Sequence, residues 1–573
     1  MSLGKIIDRV GDANPQIFRE LKERLTLRNL GIAIVASLLI QGFTLLYFNG
    51  QLPVAVPEVE SIEHSTIDRP AADPSFKANE HVYSKYCHFS PKDDLCRLDS
   101  TGNFRINWQN WRSDVANGLS WILSFGTILG SVYLLVADLV REEKRGTLNF
   151  IRLSPQSAPK IFIGKILGVP ILVYLAAALM LPLQFSLGLI AGGTVPLLMS
   201  WYAAIGATWW LFASAAVLYT ILGGGQAIVT TIVTALPLCF GLGIVNQHLA
   251  IAIDRKLFLS QTSEQTFWFG LAIHRSAIWF DAFEIGCCLV ASYWVWQALE
   301  RRYLNPTATA ISKQQSYLIN LCLQIWIGGF ALPLMFVDPD QYWKTRQLLA
   351  WLAIVDFLAL LLSIALLLPS KQALQDWSRH RRERTHLGRK FWQRDLIRDL
   401  ISNDKSPALL TIAINVGMAM AVWLPVSLLV NIKMPRMSMS FDDWSVPGIE
   451  LKLAAGVCIA AALMLIYATI AHLGLFLKVK KRNVWTVAIV GSLTILPLVG
   501  AYVLSPARVP TGLAAIFILF SPFAPAGLCQ LSLGTIFASF VAQLGVFATL
   551  TRQLQRQLQI SGRSQSQELL TRS

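Results

Sequence analysis

A charged stretch between two apolar runs decides the fold: Asp138 to Pro170, which reads DLVREEKRGTLNFIRLSPQSAPKIFIGKILGVP. It opens with mixed acidic and basic residues and passes through Gly146 and Thr147 into a short amphipathic piece. A turn between Pro155 and Pro159 then leads into the next apolar segment. A polar connection of this kind between two long hydrophobic segments is typical of a cytoplasmic loop that joins two membrane spans.

The rest of the chain is mostly apolar. Of its 573 residues, 54% are hydrophobic and 14% are charged, and the mean hydropathy is +0.50. Apolar runs of about 20 residues, long enough to cross a hydrocarbon core of ~30 Å as helices, recur along the whole length. We therefore predict an all-α polytopic membrane protein. The formal charge of +15 lies mainly in short loops, as the positive-inside rule expects, so it does not indicate a nucleic-acid partner.

The apolar pattern predicts about twelve spans in two halves of six. The halves cover residues 29–305 and 317–551, and a polar cytoplasmic connector at 306–316 joins them. The spans of the first half are predicted at Asn29–Phe48, Val115–Ala137, Phe162–Ile190, Ser200–Leu222, Ala227–Val245 and Trp279–Leu299. Those of the second half are predicted at Tyr317–Val337, Leu348–Leu368, Pro407–Val430, Leu451–His472, Trp485–Leu504 and Leu531–Leu550.

Residues 1–28 are predicted to be cytoplasmic and to include an amphipathic helix at the membrane surface. Asn14 is suited to cap this helix, and a proline follows at its first position. Ile17, Leu21 and Leu25 share one face, with charged residues opposite. This pattern predicts an interfacial helix that lies against the lipid bilayer.

Two long polar loops differ in charge. The loop 50–114 carries ten acidic and seven basic residues and is placed outside, whereas the loop 371–405 carries ten basic and five acidic residues and is placed in the cytoplasm. The outer loop holds Cys87 and Cys96, which we predict to be disulfide partners. Histidines in the same loop offer a metal-binding alternative, but the spacing fits no standard zinc pattern, so no metal site is predicted.

The last apolar stretch, Gly512 to Leu550, is long enough for two spans. Two full crossings would carry the arginines of the tail 552–573 to the outside. We therefore predict that Leu513–Cys529, which contains Pro522 and Pro525, forms re-entrant half-helices, and that both termini are cytoplasmic. Thirteen spans with an outer C-terminus is the alternative.

The opening stretch resembles a known family. The similarity rests on Arg141 to Leu148, on Leu153-Ser154-Pro155 leading to Gly164-Lys165, and on the amphipathic helix before the first span. These features resemble an ABC-type exporter permease of the type-two superfamily, over about residues 14–305. The resemblance implies ATP-driven export through paired six-span units in a bacterial-type inner membrane. It also implies that the coupling loop 138–160 docks onto a separate ATPase subunit, through Glu142, Glu143, Lys144, Arg145, Gly146, Thr147 and Leu148.

The chain has no nucleotide site of its own by sequence. No G-x-x-x-x-G-K-[ST] pattern occurs, so we expect a transport subunit without catalytic residues or a bound cofactor. The second half lacks the Arg-x-x-Gly-Thr pattern. Its basic loop is either a diverged second coupling element, which would make one chain an internal pseudo-dimer, or a counterpart of the interfacial helix. A homodimer is the other arrangement.

Three acidic residues fall within predicted spans. Asp356 lies near the middle of its span, and Asp281 and Glu284 share a face near the outer end of theirs. Intramembrane acids often mark a transport path, so these residues are candidates for a cation site or an outer gate. The alternative is that Asp356 pairs with a polar group in the bundle and the other two reach headgroup water. A secondary transporter, a channel and a non-transporting membrane scaffold therefore remain alternative functions.

We predict that a cysteine introduced near the C-terminus is labelled only from the cytoplasmic side, because the basic tail should follow the positive-inside rule. Labelling of intact cells with a membrane-impermeant maleimide, before and after permeabilisation, measures this. A cysteine in the loop 50–114 is the control that should react in intact cells. Labelling of the C-terminal cysteine in intact cells would contradict the twelve-span topology.

Overall fold

The computed structural model of the protein describes residues 14–53, 84–87, 104–147, 156–223, 226–232, 246, 267–273, 276–334, 342–386, 394–429, 449–479, 482–503, 519–521 and 531–561. The helices of its N-terminal part are α1 (Pro15–Arg24), α2 (Leu27–Asn49), α3 (Trp108–Arg145), α4 (Ala158–Gly168), α5 (Ile171–Ile190), α6 (Val195–Ile221) and α7 (Ala277–Leu304). Those of its C-terminal part are α8 (Lys313–Leu334), α9 (Tyr342–Leu367), α10 (Lys371–His386), α11 (Arg394–Ser402), α12 (Leu409–Leu429), α13 (Ile449–Gly474), α14 (Arg482–Val503) and α15 (Leu533–Ser561). The only sheet in these residues is a hairpin of β1 (Phe267–Trp268) and β2 (Leu271–Ala272).

Ten of the described helices are long and apolar enough to cross a membrane. They are α2, α3, α5, α6, α7, α8, α9, α12, α13 and α15. An all-α, multi-pass membrane protein is therefore confirmed. Two predicted spans are not among the ten: α14 has a shorter apolar part, Val484–Gly500, and most of the span predicted at Ala227–Val245 lies outside the described residues. The predicted re-entrant segment also lies largely outside them.

The chain forms two compact units. The first comprises residues 1–265 and 273–300, and the second comprises residues 266–272 and 301–573. The main division therefore falls between Glu300 and Arg301, next to the predicted connector at 306–316.

In the first unit, α3 is the central helix and contacts α2, α5 and α6. Its buried face carries apolar side chains together with three serines, and two of the serines bind polar side chains of neighbouring helices. The Gln184 side chain donates to Ser120 at 2.9 Å, and the Trp209 indole donates to Ser131 at 3.1 Å. The Tyr202 hydroxyl in turn donates to the Gln184 carbonyl oxygen. These bonds satisfy polar groups that would be costly to leave unpaired inside the bundle.

In the second unit, α13 contacts α9, α12, α14 and α15, and α12 packs on α8. A row of buried polar side chains follows one face of α8, at Ser316, Asn320 and Gln324. The Asn320 amide donates to the backbone carbonyl of Asn415 at 2.9 Å, which ties α8 to α12. The first unit uses the same kind of bond between its first and third spans, where the Ser37 hydroxyl donates to the Ala176 carbonyl at 3.0 Å.

A buried lysine fixes a surface helix in the second unit. The Lys313 side chain, at the start of α8, is only 2% exposed. Its ammonium donates to the Leu400 carbonyl at 2.7 Å and to the Ser406 hydroxyl at 2.6 Å. Asp404 accepts a bond from the Lys313 backbone amide at 3.0 Å. Lys313 thus holds α11, which lies in the predicted cytoplasmic loop, against the first span of this unit.

The structure differs from the sequence expectation around the charged stretch. α3 continues without a break to Arg145, eight residues beyond the predicted end of its span at Ala137. The predicted span Phe162–Ile190 is instead two helices, α4 and α5, separated at Val169 and Pro170. Pro170 lacks a backbone N–H and its ring clashes with the preceding turn, which accounts for the break.

We predict that Gln184→Leu lowers the stability of the first unit by about 1–3 kcal/mol, because the half-buried Tyr202 hydroxyl loses its acceptor and the buried Ser120 hydroxyl loses its donor. Thermal unfolding of the detergent-purified protein measures this. Ser186→Ala is the matched control on the same helix, because the Ser186 hydroxyl, within the described residues, bonds just to the carbonyl of Leu183 in its own turn. Equal unfolding temperatures for the two variants would contradict the prediction.

Candidate partner-coupling site

The site is built on α1, the amphipathic helix that precedes the first span. Its cap is the one that the sequence predicts: the Asn14 side chain accepts the backbone N–H groups of Gln16 at 3.0 Å and Ile17 at 3.4 Å, and Pro15 occupies the first position. The Asn14 amide also donates to the carbonyl of Lys160 at 2.7 Å. The cap therefore both begins α1 and attaches it to α4.

Two glycines of α4 allow α1 to approach closely. A Cβ at Gly164 would lie 2.7 Å from Gln16 Cβ, and a Cβ at Gly168 would lie 2.6 Å from Glu20 Cβ. Real side chains essentially never come so near, so both positions require glycine. The glycines and the two side chains that they accommodate are each four residues apart, as expected for two helices packed through small-xxx-small spacing.

A charge cluster with a buried centre lies beside this contact. Lys165 and Glu20 form the buried centre, and the partly exposed side chains of Asp138, Glu142, Arg19 and Arg24 surround it. The Lys165 side chain is 1% exposed and that of Glu20 is 2% exposed. The Lys165 ammonium lies 2.8 Å from Glu20 Oε1, 2.7 Å from Asp138 Oδ2 and 2.6 Å from Glu142 Oε1. One lysine on α4 therefore joins a carboxylate of α1 to two carboxylates at the end of α3.

Two arginines of α1 complete the charge cluster. Arg24 Nη2 lies 2.7 Å from Asp138 Oδ1, and Arg24 Nε lies 3.2 Å from Glu20 Oε2. Arg19 Nη2 lies 3.0 Å from Glu142 Oε1. Three carboxylates thus meet three cationic groups, so the charges balance.

The electrostatics keep both central groups ionised. Burial alone would raise the pKa of Glu20, but the Lys165 ammonium and the Arg24 guanidinium hold it below its ordinary value. Burial alone would lower the pKa of Lys165, but the Asp138 and Glu20 carboxylates hold it above its ordinary value. α1, α3 and α4 are therefore joined by charges that persist across the neutral range.

The three carboxylates also have the spacing of a metal site. One ligand oxygen from each of Glu20, Asp138 and Glu142 lies within 4.8 Å of the others. The Lys165 ammonium already bonds to all three, however. The arrangement therefore fits an internal ion cluster better than a cation site.

Beyond the charge cluster, α3 ends in an exposed charged tip of Glu143, Lys144, Arg145, Gly146 and Thr147. Gly146 adopts a left-handed conformation with φ of 74°, and its N–H donates to the Glu143 carbonyl at 3.0 Å. The Thr147 hydroxyl donates to the Glu142 carbonyl at 3.1 Å. α3 thus ends at Gly146, and the charged side chains of its last three residues are exposed.

Six of the seven predicted coupling residues are described, and they divide into two groups. Glu142 belongs to the charge cluster rather than to the exposed surface, because Lys165 and Arg19 bind it. Glu143 to Thr147 form the exposed tip, and Leu148 lies outside the described residues. Glu20, Asp138, Lys165 and Gly168 were missed as site residues. The four-residue spacing of Gly164 and Gly168 was the signal that could have revealed the helix contact.

Asp356 lies inside the bundle of the second unit, and its side chain joins three helices. The Gln324 amide of α8 donates to Asp356 Oδ1 at 2.7 Å, and the Trp423 indole of α12 donates to Asp356 Oδ2 at 2.7 Å. Both carboxylate oxygens thus have a donor, and the residue is 4% exposed. This geometry favours the alternative in which Asp356 pairs with polar groups.

Asp281 and Glu284 face α6. The Ser200 hydroxyl donates to Asp281 at 2.5 Å, and the Thr208 hydroxyl donates to Glu284 at 3.0 Å. Asp281 is 2% exposed, so it is a helix-to-helix contact in this structure rather than a group in headgroup water.

Cys87 is buried and disulfide-bonded, beside an isolated bridge to Ile106. Its predicted partner, Cys96, lies outside the described residues, so their pairing stays a prediction. Nearby, the Tyr86 hydroxyl donates to Asp114 at 2.6 Å, and the Lys85 ammonium lies 2.6 Å from the same carboxylate. These bonds attach this part of the loop 50–114 to the start of α3.

No family model, curated protein or solved structure matches this chain.

We predict that Lys165→Met releases α1, because it leaves three carboxylates close together in a buried place without their common cation. Removal of one partner from a buried ion pair typically costs about 3–5 kcal/mol. Limited digestion with trypsin reports this, since cleavage after Lys22 and Arg24 should become faster when α1 leaves α4. Lys160→Met is the matched control, because Lys160 is exposed on the same helix. Equal cleavage of both variants would contradict the prediction.

The stability that the Glu20–Lys165 contact contributes should depend on pH in a predictable direction. The contribution of Glu20 is complete above its ordinary pKa of 4.5 and is lost as pH falls through its lowered folded-state pKa. The contribution of Lys165 is complete below its ordinary pKa of 10.5 and is lost as pH rises through its raised folded-state pKa. The difference in unfolding temperature between wild type and Lys165→Met should therefore be largest within the window of 4.5 to 10.5 and shrink on either side of it.

Proposed function

We propose that this chain is the membrane-spanning permease subunit of an ABC transporter, which exports a substrate with ATP hydrolysed by a separate ATPase chain. The observation that carries the proposal is the charge cluster, which attaches α1 and α4 to the end of α3 and leaves the charged tip of α3 exposed. A soluble partner that binds the tip would act on three helices at once. This arrangement agrees with the resemblance of residues 14–305 to exporter permeases.

The length of α3 supports a mechanical role. It has 38 residues and is therefore about 57 Å long, which exceeds the ~30 Å hydrocarbon core. A displacement of the exposed tip passes along a continuous helix into the middle of the first unit. Because α1 is held by Lys165 and leads directly into α2, the first span moves with it.

In the proposed topology, twelve spans have both termini in the cytoplasm of a bacterial-type cell, and α14 and the segment 227–245 supply the two spans beyond the ten. The segment Leu513–Cys529 is proposed to be re-entrant. The orientation rests on the basic loop 371–405 and the acidic loop 50–114, according to the positive-inside rule. The charged tip of α3 then lies in the cytoplasm, where an ATPase would bind it.

An internal pseudo-dimer is favoured over a homodimer. In each unit a buried lysine holds a surface helix against a neighbouring span: Lys165 holds α1, and Lys313 holds α11. In each unit the first span also donates a side-chain hydrogen bond to a backbone carbonyl of the third. One chain then supplies both six-span halves, and the loop 371–405, which like the loop 138–160 joins the second and third spans of its half, is the diverged second coupling element.

A secondary transporter is the second candidate, and the buried carboxylate of Asp356 is the observation that favours it. Both oxygens of Asp356 accept donors from neighbouring helices, however, so its geometry serves helix packing as well. Its proposed role in a transport path, like that of Asp281 and Glu284, is therefore subordinate to the coupling site.

We predict that tagged protein from native membranes co-purifies with a soluble ATPase, and that Glu143→Arg combined with Arg145→Glu reduces the recovery at least tenfold. Both residues are exposed at the tip and lie outside the charge cluster, so the exchange should leave the fold intact. Immunoprecipitation with quantitative mass spectrometry measures the recovery. Thermal unfolding checks that the variant is folded.

Glu450→Arg is the control, because Glu450 is an exposed acid at the predicted outer end of α13. It should retain the ATPase. Absence of any ATPase from wild-type preparations, or its full retention by the double variant, would contradict the proposed function.

A further inference from the structure

An apolar groove runs along the first unit between α2, α3 and α5. Its volume is about 310 Å³, and one end is at Asn29 while the other is at Ile40 and Met180. The floor is made of small residues, which leave a trough between the larger side chains. The small lining residues are Ala33, Ala36, Gly126, Thr127, Ala176 and Ala177.

Gly126 is an exposed residue that lines the groove. A Cβ added at this position would meet no atom within 4 Å, although α3 is packed on its other faces. Ile32, at the edge of the groove, is 58% exposed, so the groove opens sideways toward the membrane. An occupant would therefore enter from the lipid phase.

The dimensions of the groove fit one acyl chain. Asn29 and Ile40 are eleven residues apart on α2, which corresponds to about 16 Å along the helix. Half of a ~30 Å hydrocarbon core is about 15 Å. The groove thus extends from the membrane surface at the start of α2 to the middle of the bilayer, as the chain of a lipid in one leaflet does.

A basic residue precedes Asn29, which lies at the mouth of the groove. Arg28 is exposed in the first turn of α2, next to Asn29, and this turn contains no acidic residue. Within the part of the chain that the structure describes, the Arg28 guanidinium forms no ion pair. A phosphate at this mouth would meet a positive group at headgroup level.

We propose that the groove between α2, α3 and α5 binds one anionic phospholipid, whose acyl chain lies on the small-residue floor and whose phosphate contacts Arg28. The lipid fills the space between the first and third spans, beside the bond from Ser37 to Ala176. The start of α2, where the lipid headgroup would lie, directly follows α1 in the chain. This site is independent of the transport function proposed above.

The test is native mass spectrometry of the purified full chain, after exchange into mixed micelles with equimolar phosphatidylglycerol and phosphatidylcholine. The wild-type protein is expected to retain one phospholipid, with phosphatidylglycerol preferred about fivefold, the effect of one basic residue at a membrane surface. Gly126→Leu fills the groove and should lose the lipid. Arg28→Gln should still retain a lipid but without the preference.

Gly206→Leu is the matched control, because Gly206 is an exposed glycine of α6 with equally free space around it. It should retain the lipid as the wild type does. If Gly126→Leu is unfolded by thermal scanning, Ala36→Leu replaces it as the groove-filling variant. Lipid retention by the groove-filling variant equal to that of Gly206→Leu, or an unchanged preference in Arg28→Gln, overturns the proposal.

Discussion

The Lys165 ammonium, held by three carboxylates where almost no water reaches it, is the interaction on which the described part of the first unit depends. Its partners come from helices far apart in sequence, Glu20 on α1 and Asp138 and Glu142 on α3. Ion pairs in such places gain little net stability over an apolar contact, but an unmatched charge there is strongly unfavourable. The charge cluster therefore acts mainly by excluding other arrangements of α1, α3 and α4.

The second unit also has a buried lysine whose charge needs partners, but the partners are of a different kind. Lys313 is as buried as Lys165, but two of its partners are a backbone carbonyl and a hydroxyl rather than carboxylates. Nearby, the His472 ring accepts the backbone N–H of Ala408 at 3.1 Å, which places the start of α12 against α13. Since Nε2 accepts this hydrogen bond, the other ring nitrogen, Nδ1, carries the hydrogen and donates to the Ala468 carbonyl at 2.7 Å. Both units thus use polar contacts to fix the ends of helices whose middles are apolar.

The sequence predicts the parts of this structure that local signals determine. Hydropathy over about 20 residues located α2, and a capping residue followed by proline located the start of α1. The buried polar face of α1 was not predictable in this way, because an amphipathic pattern does not say whether charges face water or another helix. Lys165 and Glu20 are 145 positions apart, and the donors to Asp356 are 32 and 67 positions from it. Such contacts follow from the packing of spans against one another. The periodicity within one helix does not predict them.

The interruption at Val169 and Pro170 has a mechanical consequence. α3 is continuous from the membrane to its exposed tip, whereas α4 meets α5 through a two-residue joint. A continuous helix transmits a displacement along its whole length. The joint lacks one backbone hydrogen bond, because Pro170 has no N–H to donate, and it therefore bends more easily. In the proposed permease, a force on the tip would therefore reach α2 and α3 directly, whereas α5 would follow through its hydrogen bonds to these two helices. A force on the tip would thus be transmitted differently to the second and the third spans.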